Sequence, residues 1–240
     1  EALKMVDLLK DPHYARIAKI TALRARASEK GDWQSLIDYL ERCFSDTGDG
    51  VFLLDCCEIK AHLGDWTYVA HRSAELVNHV GTADAVELAA QAMFKAGRYA
   101  ECLTLLDRFQ RYFTDSKLPA NLGRIRVECQ RLLGILARAV IEAEELARSD
   151  PAIPNLLALA QLYFSLGDLK GVALVARQIE SRSDSAPEHC LRLARLVQWD
   201  DQNLAVLLWR KAANSPCLPD ELVGEAVALG MLLESRLAAE

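Results

Sequence analysis

The chain is poor in the residues that punctuate β-structure: 12 glycines and 7 prolines in 240 positions. An all-β fold needs many tight turns, and low-complexity disorder is far richer in both residues, so neither class fits. A basic excess is also missing. Asp and Glu outnumber Lys and Arg by 34 to 28, a net charge of −6, which argues against nucleic acid as a partner because phosphate binding needs clustered positive charge. No apolar run approaches the roughly 18 residues that cross a bilayer, so no membrane partner is expected. The opening EALKMVDLLK is amphipathic and does not read as a secretory leader. No HExxH, glycine-rich phosphate loop or GxSxG occurs, and no nucleophile–base pair stands out, so the reading is a non-enzyme with no cofactor and no metal.

What is present is an apolar fraction of 51% beside 26% charged residues, enough for a packed core in a water-soluble, cytoplasmic protein. The seven cysteines, Cys43, Cys56, Cys57, Cys102, Cys129, Cys190 and Cys217, form no CxxC. Most lie among Leu, Ile and Ala and read as small buried hydrophobes. The adjacent pair Cys56–Cys57 lacks a further soft ligand nearby. His71, Glu75 and His79 share one helix face at four-residue spacing. Eight residues of helix span about 12 Å, too far for one metal to take all three. Glu142, Glu144 and Glu145 read as a solvated face in the first half of a helix.

The dominant signal is a repeat. Gly31-Asp32-Trp33, Gly64-Asp65-Trp66 and Gly97-Arg98-Tyr99 lie 33 residues apart. Gly134 follows after an extra four residues, then Gly167-Asp168-Leu169 after 33 more, and a further 33 reaches the turn-like Asp200. Two residues after each glycine comes a large side chain: Trp33, Trp66, Tyr99, Leu136 and Leu169. Five after come Leu36, Val69, Cys102, Ala139, Val172 and Ala205; twelve after come Cys43, Leu76, Phe109, Leu146, Ile179 and Ala212. These offsets fall on one helical face. Each repeat therefore reads as a helix, a glycine turn and a second helix. First helices are expected near 13–29, 50–63, 83–95, 119–132, 153–165 and 187–198, and second helices near 33–45, 66–79, 98–113, 135–148, 168–181 and 202–213. The insertion falls at 114–119, where the weakest junction is expected. In the fourth pair the apolar set Leu122, Ile125, Cys129, Leu132 runs one residue early; in the sixth, Cys190, Leu193, Ala194, Val197 runs one late.

These units, clearest in LLALAQLYFSLGDLKGVALVARQI (156–179), ARAVIEAEELARSDP (137–151) and AVELAAQAMFKAGRYAECLTLL (85–106), resemble the tetratricopeptide repeat, with the related half-a-tetratricopeptide and Sel1-like repeats sharing the pattern. The resemblance covers roughly 17–213. It implies an all-α, right-handed superhelical solenoid of antiparallel helix pairs with a concave groove lined by first helices. The expectation is a single array over 1–240, about six pairs flanked by partial units at 1–12 and 219–240 and cut from a longer protein. Trp33 and Trp66 recur with the period and read as packing residues. Groove-facing candidates are Glu87, Gln91, Phe94 and Lys95 in the third pair, Arg124, Glu128 and Arg131 in the fourth, Leu157, Gln161, Phe164 and Ser165 in the fifth, and Arg195 in the sixth. The resemblance implies a scaffold that binds a protein or peptide in that groove; the other reading is a self-associating or regulatory module beside a catalytic domain elsewhere, with homo-oligomers forming through the solenoid ends. Repeats that grip acidic chaperone tails carry asparagine at sites matched here by Ala25, Glu58, Gln91 and Gln161, so that clamp is not expected.

Overall fold

A computed structural model describes residues 11–113 and 117–237; the expected helix at 1–10 and the first half of the 114–119 insertion lie outside them. Among the described residues there are thirteen α-helices and no strand. In the first compact unit, which ends at Lys117, these are α1 (Pro12–Lys30), α2 (Trp33–Thr47), α3 (Gly50–His62), α4 (Trp66–Val80), α5 (Ala83–Lys95) and α6 (Tyr99–Phe109), closed by a 3-10 turn at Gln110–Tyr112. The second unit, from Leu118, holds α7 (Ala120–Leu132), α8 (Leu136–Ser149), α9 (Ile153–Ser165), α10 (Leu169–Glu180), α11 (Pro187–Val197), α12 (Gln202–Ala213) and α13 (Asp220–Leu237). Odd-numbered helices up to α11 are the first helices of the six pairs.

Within each unit every helix packs on the next in sequence, and successive first helices also touch: α3 on α5 in the first unit, α9 on α7 and α11 in the second. This neighbour-only ladder is the packing of a helical solenoid. The turns explain it. Gly31, Gly64, Gly97, Gly134 and Gly167 all have φ between 71° and 83°, a left-handed conformation open to glycine at no steric cost. The next residue then caps the second helix where it is aspartate. Asp32 accepts from Ser35 N–H, Asp65 from Tyr68 N–H and Asp168 from Gly171 N–H, and Asp201 caps α12 in the same way. Arg98 and Ile135 give no such cap.

The residue five after each turn is the deepest point of its pair: Leu36, Val69, Cys102, Ala139, Val172 and Ala205 are all 0% exposed. In the second unit the buried side chains form one continuous core from Val127 to Leu233. Side chains also reach back from one pair to the main chain of the previous one. Arg98 donates to the Ala70 carbonyl at 2.7 Å, Arg182 to that of Pro151 at 2.6 Å, and Lys211 Nζ to those of Glu180 and Arg182 at 2.6 Å. Trp209 Nε1 donates to the Ala226 carbonyl at 2.7 Å, docking α13 on α12.

Two expectations from the apolar pattern need correction. In α7 the buried residues are Leu122, Val127, Cys129 and Gln130, while Leu132 is exposed. The pattern misled because a buried glutamine, Gln130, holds the place that the buried Met93 and the half-buried Tyr163 hold in other pairs. In α9, Leu157 is buried against the core rather than open to a groove. Six of the seven cysteines are buried, only Cys217 is exposed, and burial pushes the Cys57 thiol up to about 12.

Candidate functional site

The predicted face of the first unit is partly used up by internal contacts. Gln91 donates to Glu87 at 3.1 Å. The Phe94 ring is half-buried, 5.7 Å from that of Tyr99 at the start of the partner helix. Lys95 places its ammonium 3.7 Å over the Trp66 ring. In the second unit Arg131 forms a forked pair with Glu128 at 2.6 and 2.8 Å. Arg195 pairs at 2.5 Å with Glu225 of α13. Arg124 and Gln161 are half-buried, and Phe164 and Ser165 are exposed. His71, Glu75 and His79 are each engaged elsewhere: His71 Nδ1 with the Thr67 carbonyl, Glu75 with Arg72, and the His79 ring against Phe44. Among the described residues no group of three His, Cys, Asp or Glu side chains is placed to hold a metal ion, and no helix is long and apolar enough to cross a membrane.

The open cavity on a first-helix face lies one pair earlier than the residues predicted. About 410 Å³ is enclosed by Arg24 and Ser28 of α1, Trp33 at the start of α2, and Asp55, Glu58, Ile59 and His62 of α3. The turn at Gly31 and the Asp32 cap fix where Trp33 leaves the hairpin, and its ring packs beside Leu23, Leu36 and Ile37. Arg24 and Asp55 close one side through a 2.8 Å ion pair. Glu58 forms no hydrogen bond or ion pair with any described residue. Burial, and then the neighbouring Asp55, hold its carboxyl above the ordinary glutamate range against the pull of Arg24; Asp84 adds to the rise.

A second cavity of about 230 Å³ opens between α4 and α6, lined by Val77, Leu105 and Phe109 over Met93, with Glu101 and Arg108 at its edge. Sequence reasoning missed both cavities. For the first, the signal was present in the repeat register. Trp33 aligns with Trp66, Glu58 with Gln91 and His62 with Lys95, each 33 residues on.

No protein-family model and no curated protein matches the chain. Solved structures do. A tetratricopeptide repeat protein from Parabacteroides merdae superposes with a TM-score of 0.62 at 13% identity, over 95% of this chain and 90% of that one. YrrB, described as a tetratricopeptide-repeat protein with an unusual peptide-binding site, superposes with a TM-score of 0.52 at 10% identity, over 80% of this chain and 97% of that one. Glycine hairpins, neighbour-only packing and these superpositions agree that the chain has the tetratricopeptide-type helical-repeat fold.

Proposed function

We propose that the chain is a non-catalytic interaction scaffold that holds an extended peptide or partner segment against the face formed by its first helices. The observation that carries this reading is the cavity between α1 and α3. It is lined by Trp33 and Ile59 together with Ser28, His62, the Arg24–Asp55 ion pair and the Glu58 carboxylate, so polar and charged groups converge beside an aromatic side chain and can fix a ligand's orientation. The peptide-binding site for which YrrB is described lends support from a protein of the same fold. Gln91, Phe94 and Lys95 in the first unit, and Arg124, Gln161 and Phe164 in the second, belong to the same reading as further contact residues on first helices.

The test is selection of binders from a display library of random twelve-residue peptides with the purified chain, followed by titration of selected peptides. Binding that survives Glu145→Arg on a second helix, yet is lost with Glu58→Arg on a first helix, is the expected result. Selected peptides that ignore every first-helix substitution would overturn it. Self-association is a second reading, favoured by one observation: α13 exposes Val223, Val227 and Met231 in a line along one side. Concentration-dependent mass in light scattering, abolished by Val227→Glu, would be its signature.

A further inference from the structure

The cavity between α1 and α3 has a counterpart one pair along, and the two differ in a chemically directed way. At the second place the protein supplies its own cation: the Lys95 ammonium sits 3.7 Å over the Trp66 ring. The residue matching Glu58 there is the neutral Gln91, already bonded to Glu87. At the first place the lysine is replaced by His62, the amide is replaced by the Glu58 carboxylate, and a 410 Å³ space opens beside Trp33. An internal cation is thus exchanged for an opening, a negative charge and a half-buried tryptophan on the cavity wall. These are the three parts of a receptor for a cation supplied from outside, since an ammonium or guanidinium is attracted both to a tryptophan face and to a carboxylate.

The charges around the cavity point the same way. Arg24 is held by Asp55 at 2.8 Å, so that pair is internally balanced. Glu58 forms no ion pair with a described residue, and the field of Asp55 and Asp84 on it is offset only in part by Arg24. The size is within the ~300–1,000 Å³ of small-ligand sites, so a long flexible side chain fits with its charged head beside Glu58 and Trp33 and its methylenes along Ile59. The net charge of −6 favours approach of a basic segment.

We propose that this cavity receives a lysine or arginine side chain of the bound segment, its charge seated between the Glu58 carboxylate and the Trp33 ring. The inference rests on the peptide-scaffold reading above and specifies the chemistry of one of its subsites.

The experiment uses the peptides selected from the twelve-residue display library against the unmodified chain. Titration calorimetry is run with each peptide and with versions in which each Lys or Arg is replaced by glutamine. One basic position is expected to dominate, its loss and Glu58→Gln each weakening binding on the order of tenfold, with the two changes together costing no more than either alone. His62→Lys supplies a gain-of-sequence control. It rebuilds the Trp66–Lys95 arrangement at Trp33 and is expected to displace the incoming cation, also by about tenfold, while the circular-dichroism melt stays unchanged. Spermidine, added at millimolar concentration as a free polycation, is expected to compete weakly and equally at all basic positions. Peptides that bind the first-helix face with no basic position of this kind, or with independent Glu58 and lysine effects, would overturn the subsite and leave the scaffold reading standing. Complete displacement by spermidine would overturn the peptide source. Failure to select any peptide on this face would overturn the scaffold reading itself.

Discussion

The two units share one skeleton and dress it differently. In the first, the side chain two residues beyond each turn glycine is aromatic: Trp33, Trp66 and Tyr99. In the second it is leucine: Leu136 and Leu169. Trp33, Trp66 and Leu136 all pack part of their surface against the core, but the aromatic rings also serve as surfaces, since Lys95 sits over Trp66 and Phe94 stands beside Tyr99. Yet the turn glycine keeps the same left-handed φ and the residue five beyond it is fully buried in both units. The hairpin therefore does not depend on what occupies that place, which leaves it free to carry chemistry. The proposed recognition of charge is therefore placed in the first unit, where Trp33 and Trp66 stand opposite His62 and Lys95 near the end of the next first helix.

If the skeleton is common, deleting equivalent core side chains should cost the same in either unit. Leu76 and Ile179 lie twelve residues beyond their turn glycines and are both 0% exposed. Leu76→Ala and Ile179→Ala are each expected to lose ~2–5 kcal/mol by the transfer and cavity terms together. Urea unfolding reads this through tryptophan fluorescence, with Trp33 and Trp66 in the first unit and Trp199 and Trp209 in the second. A large cost in one unit and none in the other would break the comparison.

Smaller effects of opposite sign distinguish two glycines of the second unit. A Cβ on Gly171 would meet Asp168 Oδ2 at 2.7 Å and the Tyr163 ring at 2.8 Å, so Gly171→Ala should destabilise by ~1–3 kcal/mol. A Cβ on Gly123 would meet only the Leu146 methyls, at 3.4 and 3.6 Å. Gly123→Ala should therefore stabilise by ~0.5–1 kcal/mol through helix propensity. By the same argument the amides of α7 should exchange faster than those of 85–94 and 156–164, and the substitution should narrow that gap. Slower exchange in α7 of the unmodified chain would contradict the proposed weak junction.

The smallest effect concerns Glu58. Its carboxyl is held above the ordinary range, so the folded chain binds that proton more tightly than the unfolded one. The contribution of this group to stability therefore grows as pH falls from above the raised value to the ordinary glutamate range and is fully present below it, and its ionised form opposes folding above the raised value. The groups that set this field are Asp55, Arg24 and Asp84, with His62 on the same cavity wall. Glu58→Gln should leave the neutral-pH melting temperature equal or slightly higher and flatten its rise on mild acidification. A lower melting temperature would mean that Glu58 serves the fold rather than a ligand.

Much of this architecture is legible in the chain because helical repeats write it locally. A glycine that must turn left-handed, an aspartate that caps, and an apolar residue at a fixed offset give hairpins whose ends agree with the structure to within a few residues. Gln130 shows where the reading fails. A polar residue in a buried register place made the apolar set look shifted, when the helix itself had not moved. The cavity was less legible still. Trp33 recurs with the period and so reads as packing, which is half true, because it packs against the Leu23–Leu36–Leu40 cluster and also lines the cavity. His62 holds the register place of Lys95, and a difference in side-chain length across two helices is something periodicity does not report. Phe94 and Arg195, chosen for their positions, turn out to be engaged by Tyr99 and Glu225.

The central claim is that the first unit presents an open aromatic plate at Trp33 and a closed one at Trp66. Nitrogen-15 labelling of the four tryptophans gives one indole N–H resonance each, and a library-selected peptide carrying its key lysine can be titrated in while they are followed. The account predicts that the Trp33 indole shifts in a saturable, Glu58-dependent way, while Trp66, covered by Lys95, and Trp199 and Trp209 of the second unit stay in place. A saturable shift at Trp66 or Trp199 with Trp33 unmoved would contradict it.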